Sequence, residues 1–165
     1  MKKSISKRQV EVLDNFKSSN KENNGFLHEL IAIHKAAVTG FRLLNKKVKF
    51  HTVNIFLLQA LTQSKALWEE THQLILASAE GTLISNERKK KTPKLNSNIN
   101  IQDNDFTSFF KVLKEFDENV IKYYQSLMEE PLHEDFNYIL KNQLITLQNR
   151  YRRLTALEMK IKSDY

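Results

Sequence analysis

The sequence predicts an all-α protein, a four-helix bundle, and three observations predict it. Two Pro and three Gly in 165 residues are far below average usage, which favours long helices over a turn-rich β fold. Apolar residues return at three- and four-residue spacing in four separate stretches, the mark of helices with one buried stripe. Strand-like alternation is nowhere sustained. At this length the chain suits one domain with a core of its own.

Residues 1–23 form a basic, polar N-terminal tail whose apolar cluster is Val10, Val12, Leu13 and Phe16. It has room for one or two helical turns or for a mobile tail. The bundle then occupies 24–165. Asn23-Asn24-Gly25 punctuates the chain, and Asn24 can cap a first helix over about 26–44. Its stripe is Leu27, Leu30, His34, Ala37, Val38 and Phe41, and Lys46, Lys47 and Lys49 form an exposed connection.

A second helix spans about 52–79, with Val53, Phe56, Leu57, Ala60, Leu61, Ser64, Leu67, Trp68, Thr71, Leu74, Ile75 and Ser78 along one side. Glu80-Gly81 ends it, since Gly81 can take the left-handed C-terminal conformation. A third helix, about 106–128, follows Asp105 as N-cap and turns Phe106, Phe109, Phe110, Leu113, Phe116, Asp117, Val120, Tyr124 and Leu127 inward. The fourth, about 132–162, opens near Pro131, with Glu134 and Asp135 close to the positive end of its dipole. Phe136, Ile139, Leu140, Gln143, Leu147, Arg150, Tyr151, Leu154 and Ile161 make its stripe.

Between the second and third helices, residues 82–104 carry Ser, Asn, Lys, Pro93 and the basic run Arg88 to Lys91 without helical pattern. A connection this long inside a compact domain needs a reason. Extended, it reaches roughly 75 Å, whereas the longer helices are only about 36–42 Å at 1.5 Å per residue. It can therefore cross the whole bundle.

Three short motifs carry a likeness. The first helix holds Leu27-His-Glu-Leu30-Ile31, followed by Gly40-Phe41. The third holds the acidic pair Asp117-Glu118, then Val120-Ile121 and Lys122-Tyr123-Tyr124. The fourth ends in Arg153-Leu154-Thr155-Ala156-Leu157, with Tyr151 at a position where a histidine is expected. Over about residues 26–160 the chain resembles a bacterial family of unknown function among the ferritin-like four-helix bundles. The resemblance implies an antiparallel bundle with a long helix 2–helix 3 crossover loop. It carries no activity across.

Composition sets limits on function. Without cysteine there is no disulfide, thiolate catalysis or zinc-thiolate site. The N-terminus is basic but lacks the apolar stretch of a signal peptide. No apolar run approaches the ~20 residues of a membrane span. A cytoplasmic protein without membrane insertion is expected. The net charge of +7 draws polyanions only non-specifically.

The diiron bundles project one Glu from each of two helices, and a Glu-x-x-His pair from each of the other two, into their centre. Only Glu69-x-x-His72 has that spelling here, and at 100° per residue Glu69 points about 160° from the buried stripe. The inward polar residues are instead His34, Ser64, Asp117, Gln143, Arg150 and Tyr151, which matched helix lengths would gather into one central layer. A lone buried carboxylate is costly, so Asp117 should pair with His34 or Arg150. His34 and Asp117 are the inward groups of metal-ligating type, too few for a diiron centre. No metal, cofactor or catalytic residue is expected.

There is no Gly-rich phosphate loop, no nucleophile elbow and no His-Glu-x-x-His. His28, His51 and His133 fall at helix ends or in loops. Arg42, Lys46, Lys47, Lys49, Lys160 and Lys162 would meet as a basic pole, opposite an acidic pole of Glu129, Glu130, Glu134 and Asp135. The leading expectation is a non-enzymatic bundle with a structural or protein-interaction role, as a homodimer or with another protein. The alternatives are a metal-binding or diiron oxidoreductase relative, and a bundle that binds nucleic acid non-specifically.

Overall fold

The computed structural model describes residues 24–78, 92–97, 106–130, 132 and 134–164. Four helices account for most of them: α1 (Asn24–Lys47), α2 (His51–Ser78), α3 (Thr107–Met128) and α4 (Glu134–Ser163). No strand occurs among the described residues. The tail 1–23, the basic run Arg88 to Lys91, the Glu80-Gly81 stop, and Asp105, Pro131 and His133 lie outside them.

The helix ends differ from expectation in three places. α1 runs on through Lys46 and Lys47, which the sequence reading assigned to the connection. Two cations in a last turn suit the negative end of the helix dipole. The N-cap position of α3 is Phe106, whose side chain makes no cap hydrogen bond, so the expected Asp105 cap is displaced by one residue. α4 starts at Glu134 rather than 132, because the Leu132 amide closes a tight turn on the Glu130 carbonyl (2.8 Å).

Each helix buries residues at alternating steps of three and four. In α1 these are Leu27, Leu30, His34, Ala37, Phe41 and Leu44, with Val48 continuing the series just past its end. In α2 they are Val53, Leu57, Ala60, Ser64, Leu67, Thr71 and Leu74, and in α3 Phe110, Leu113, Asp117, Val120, Tyr124 and Leu127. α4 contributes Phe136, Leu140, Gln143, Leu147, Arg150, Leu154, Leu157 and Ile161. A seven-residue repeat keeps one seam facing its neighbours, as in coiled coils and bundles.

Cross-helix contacts give the directions. Glu29 meets Tyr123, His34 meets Tyr124, Phe41 meets Phe116 and Phe50 meets Phe106, so α1 and α3 are antiparallel. Gln59 meets Arg153, Ser64 meets Arg150 and Thr71 meets Gln143, so α2 and α4 are antiparallel too. The pairs Asp117–Arg150 and Tyr124–Gln143, with the short turn before α4, make α3 and α4 a hairpin. α2 and α3 therefore run the same way, and so do α1 and α4.

The helices approach most closely within each hairpin, α1 with α2 and α3 with α4. Large side chains fill the space between hairpins. At one end Phe50, Phe106, Phe109 and Phe110 stack with ring centroids 5.4–6.3 Å apart. Residues 92–97 lie along α1: Leu95 seats on Gly40, and Lys47 Nζ donates to the Ser97 carbonyl at 2.7 Å. The segment climbs in the direction of α1. Gly40 makes this seat, since a Cβ there would stand 2.6 Å from Leu95 Cδ2.

Candidate functional site

The polar interior lies at two levels rather than one. In every helix the two levels are seven residues apart: His34 and Phe41, Thr71 and Ser64, Tyr124 and Asp117, Gln143 and Arg150. Seven residues are two helical turns, a rise of about 10.5 Å.

Arg150 makes the first level. It is 2% exposed and the largest fully buried side chain among the described residues. Its Nε donates to both Asp117 carboxylate oxygens (3.1 Å each), and Nη2 bonds Oδ1 as well. Nη1 donates to Ser64 Oγ at 3.1 Å. The guanidinium lies over the Phe41 ring, Cζ 5.0 Å from its centroid, within cation–π range. One side chain from α4 thus holds α1, α2 and α3 together. Asp117 pairs with Arg150, not His34.

His34 begins the second level. Its Nε2 lies 2.6 Å from the Tyr124 hydroxyl, which donates onward to Gln143 Oε1 at 2.7 Å. A hydroxyl has one proton, so the Tyr124 oxygen must accept from His34, which puts the imidazole proton on Nε2. Gln143 Nε2 donates to Glu70 Oε2 (2.7 Å) and lies 3.4 Å from Thr71 Oγ1. Thr71 returns its own proton to the Leu67 carbonyl at 2.8 Å. The bonds run in one direction, from a buried imidazole to a half-buried carboxylate at the edge.

Burial first, and the Arg150 charge second, lower the His34 pKa from 6.5 to about 3. Burial likewise pushes Tyr124 well above its usual value, with Glu70 adding to the shift and Arg150 opposing it. Both rings are neutral at neutral pH. The level is a hydrogen-bonded chain without a charge until Glu70.

The structure buries His34, Ser64, Asp117, Gln143 and Arg150, and brings Arg150, Asp117 and Ser64 into one cluster. It corrects Tyr151. One step beyond Arg150 turns a side chain through 100°, and Tyr151 is half-exposed, donating to Glu118 Oε1 at 2.5 Å. That bond, ahead of partial burial, raises the Tyr151 pKa. Sequence reasoning placed Thr71 and Tyr124 on the buried stripes without seeing them as polar partners, and missed Glu70. Their seven-residue spacing from Ser64 and Asp117 was the available signal.

Glu69 and His72 are both exposed and take no part. Among the described residues no three His, Cys, Asp or Glu side chains gather as metal ligands would. Arg42, Lys46, Lys47, Lys49, Lys160 and Lys162 are exposed, and the parallel run of α1 and α4 puts their C-terminal turns at one end. Lys162 there pairs with Glu158 (2.8 Å), which Lys114 also reaches (3.1 Å). These two lysines hold the Glu158 carboxyl below its ordinary pKa, the Lys162 bond contributing most.

No protein-family model matches the chain, and neither a curated protein nor a solved structure matches it significantly.

Proposed function

We propose that this chain is a ferritin-like bundle that works without a metal centre, as a non-enzymatic structural or interaction module. The observation that carries this reading is Arg150. A guanidinium stands at the centre of the bundle and occupies both oxygens of Asp117, the one buried acid among the described residues. A divalent ion about 5 Å from that guanidinium would be repelled by about 7 kcal/mol at an effective dielectric near 20. A diiron relative would need several inward carboxylates to overcome this.

Two further features support the ferritin-like part. Parallel α2 and α3 require the chain to return along the full bundle between them, and residues 92–97 climb beside α1 in the direction such a crossover takes. Among the described residues no helix is long and apolar enough to cross a membrane. The module works through its surface, with a second copy or another macromolecule as partner. The interior is scaffold.

The test is elemental analysis of protein purified without chelators, together with a ferrous-oxidation assay. The expected result is less than stoichiometric iron or manganese and no oxidation above background. Two metal ions per chain would overturn the reading in favour of the diiron relative.

A further inference from the structure

Charge is unevenly shared among the four helices. α1 carries Lys35, Arg42, Lys46 and Lys47 against a single acid, Glu29, which the Tyr123 hydroxyl binds. Outer residues of α3, by contrast, alternate in sign along the helix: Lys111, Glu115 and Lys122, then Glu129 at its C-cap.

The contacts already described settle which face the α1 charges occupy. α3 meets α1 through Glu29, His34 and Phe41; α4 meets α2 through Gln59, Ser64, Glu70 and Thr71. The remaining flanks of α1 and α2 face each other. At 100° per residue, two seven-residue rows then point straight out of the α1–α2 face. The α1 row is His28, Lys35 and Arg42, continued by Lys49 just past the helix end. The α2 row is His51, Leu58, Lys65 and His72. All eight are exposed.

Four of these eight side chains are Lys or Arg, three are His, and none of the eight is acidic. Lys46 shares the direction of His28 and Glu69 that of His51, each five helical turns away, so the face carries Glu69 as its one acid. None of Lys35, Arg42, Lys46, Lys49 and Lys65 forms an ion pair with a described residue. Uncompensated like charge on rigid elements costs the fold some self-repulsion and serves association with an opposite field.

Geometry selects the partner. Each row repeats about every 10.5 Å and the α1 row extends about 31 Å. Packed helix axes stand about 8–10 Å apart, a separation comparable with the widths of duplex grooves, about 6 and 12 Å. Two such rows can meet phosphates on both edges of one groove. Interfacial binding to a bilayer calls for a continuous apolar stripe; here Leu58 and Leu76, five helical turns apart, point outward with Lys65 and His72 between them, and Ile55 stands at the α2 edge.

We propose that the outer face of the α1–α2 hairpin is a docking surface for the phosphate backbone of duplex nucleic acid, held by Lys35, Arg42, Lys49 and Lys65. The proposal rests on the interaction-module reading and names its partner. Each of the four described helices is packed in the bundle, so binding through this face is directed to phosphates and does not read sequence.

The experiment is a fluorescence-anisotropy titration of the full chain with mixed-sequence duplexes over a range of salt. Four phosphate contacts predict that log K falls with log salt at a slope of about −3.6. The triple variant Lys35→Gln, Arg42→Gln and Lys65→Gln should lose about 2.7 of that slope and bind at least ~10-fold more weakly. The variant Lys111→Gln, Lys122→Gln and Lys141→Gln removes the same charge from α3 and α4 and should keep the wild-type slope. Equal losses from both variants would overturn the assignment of this face. So would binding to anionic vesicles without binding to duplex. Metal content is read separately, so a failure of the scaffold reading would be distinguishable from a failure of this face.

Discussion

The two polar levels occupy equivalent positions in the same four helices and solve the problem of a polar interior in opposite ways. At the Arg150 level a full charge is buried and closed off, each oxygen of its counter-ion bonded to the guanidinium. At the His34 level the groups are neutral and the chain of donors leads outward to Glu70. The first level is rigid through charge pairing, and losing either partner strands a buried ion. The second depends on hydrogen bonds alone, and losing a member strands dipoles. The difference teaches how much each substitution should cost.

Arg150→Met should be the most damaging single change. It keeps volume but leaves the Asp117 carboxylate buried and unpaired, a loss of about 3–5 kcal/mol. Urea unfolding monitored by helicity would measure it. A midpoint close to wild type would mean that water reaches Asp117 and that the first level is not closed.

Tyr124→Phe should follow, at about 1–3 kcal/mol, because both the His34 N–H and Gln143 Oε1 lose their partner. The same substitution at Tyr151, half-exposed against Glu118, should stay within about 0.5 kcal/mol. Equal effects from the two would remove the distinction between interior and rim.

This contrast also marks what the sequence disclosed. Helical periodicity alone led to four helices and to the inward-facing His34, Ser64, Asp117, Gln143 and Arg150. It did not separate Arg150 from Tyr151, because a broad apolar stripe tolerates neighbours 100° apart, whereas the seven-residue repeat through Gln143, Arg150 and Leu157 admits only one of them. Matched helix lengths alone imply a single layer and do not resolve two levels two turns apart. The residues of the second level, Thr71 and Tyr124, are amphipathic enough to pass as core. Which groups bond to which depended on helix direction, and no local pattern of apolar residues encodes that.

A third, smaller effect is pH-dependent. The folded pKa of His34 is lowered to about 3 from 6.5, so below 6.5 the unfolded chain takes up a proton that the native state refuses. Stability should therefore fall as pH drops from about 6.5 towards 3, by about 2 kcal/mol at pH 5 for this group. His34→Gln should flatten that part of the profile. An unchanged acid limb in the variant would place the titrating group elsewhere. Smallest of all, Lys162→Ala removes an exposed lysine from Glu158, which keeps Lys114 as a partner, and should change stability by less than about 0.5 kcal/mol.

The central claim is that the buried charge at the first level exists to satisfy its own partner, and a double-mutant cycle on Asp117 and Arg150 tests it most directly. Asp117→Leu and Arg150→Met should each destabilise by about 3–5 kcal/mol when made alone. The double variant, with neither charge left to bury, should be more stable than either single variant in urea unfolding. If the two losses simply added, the ion pair would not be self-contained and the account of the bundle centre would be wrong.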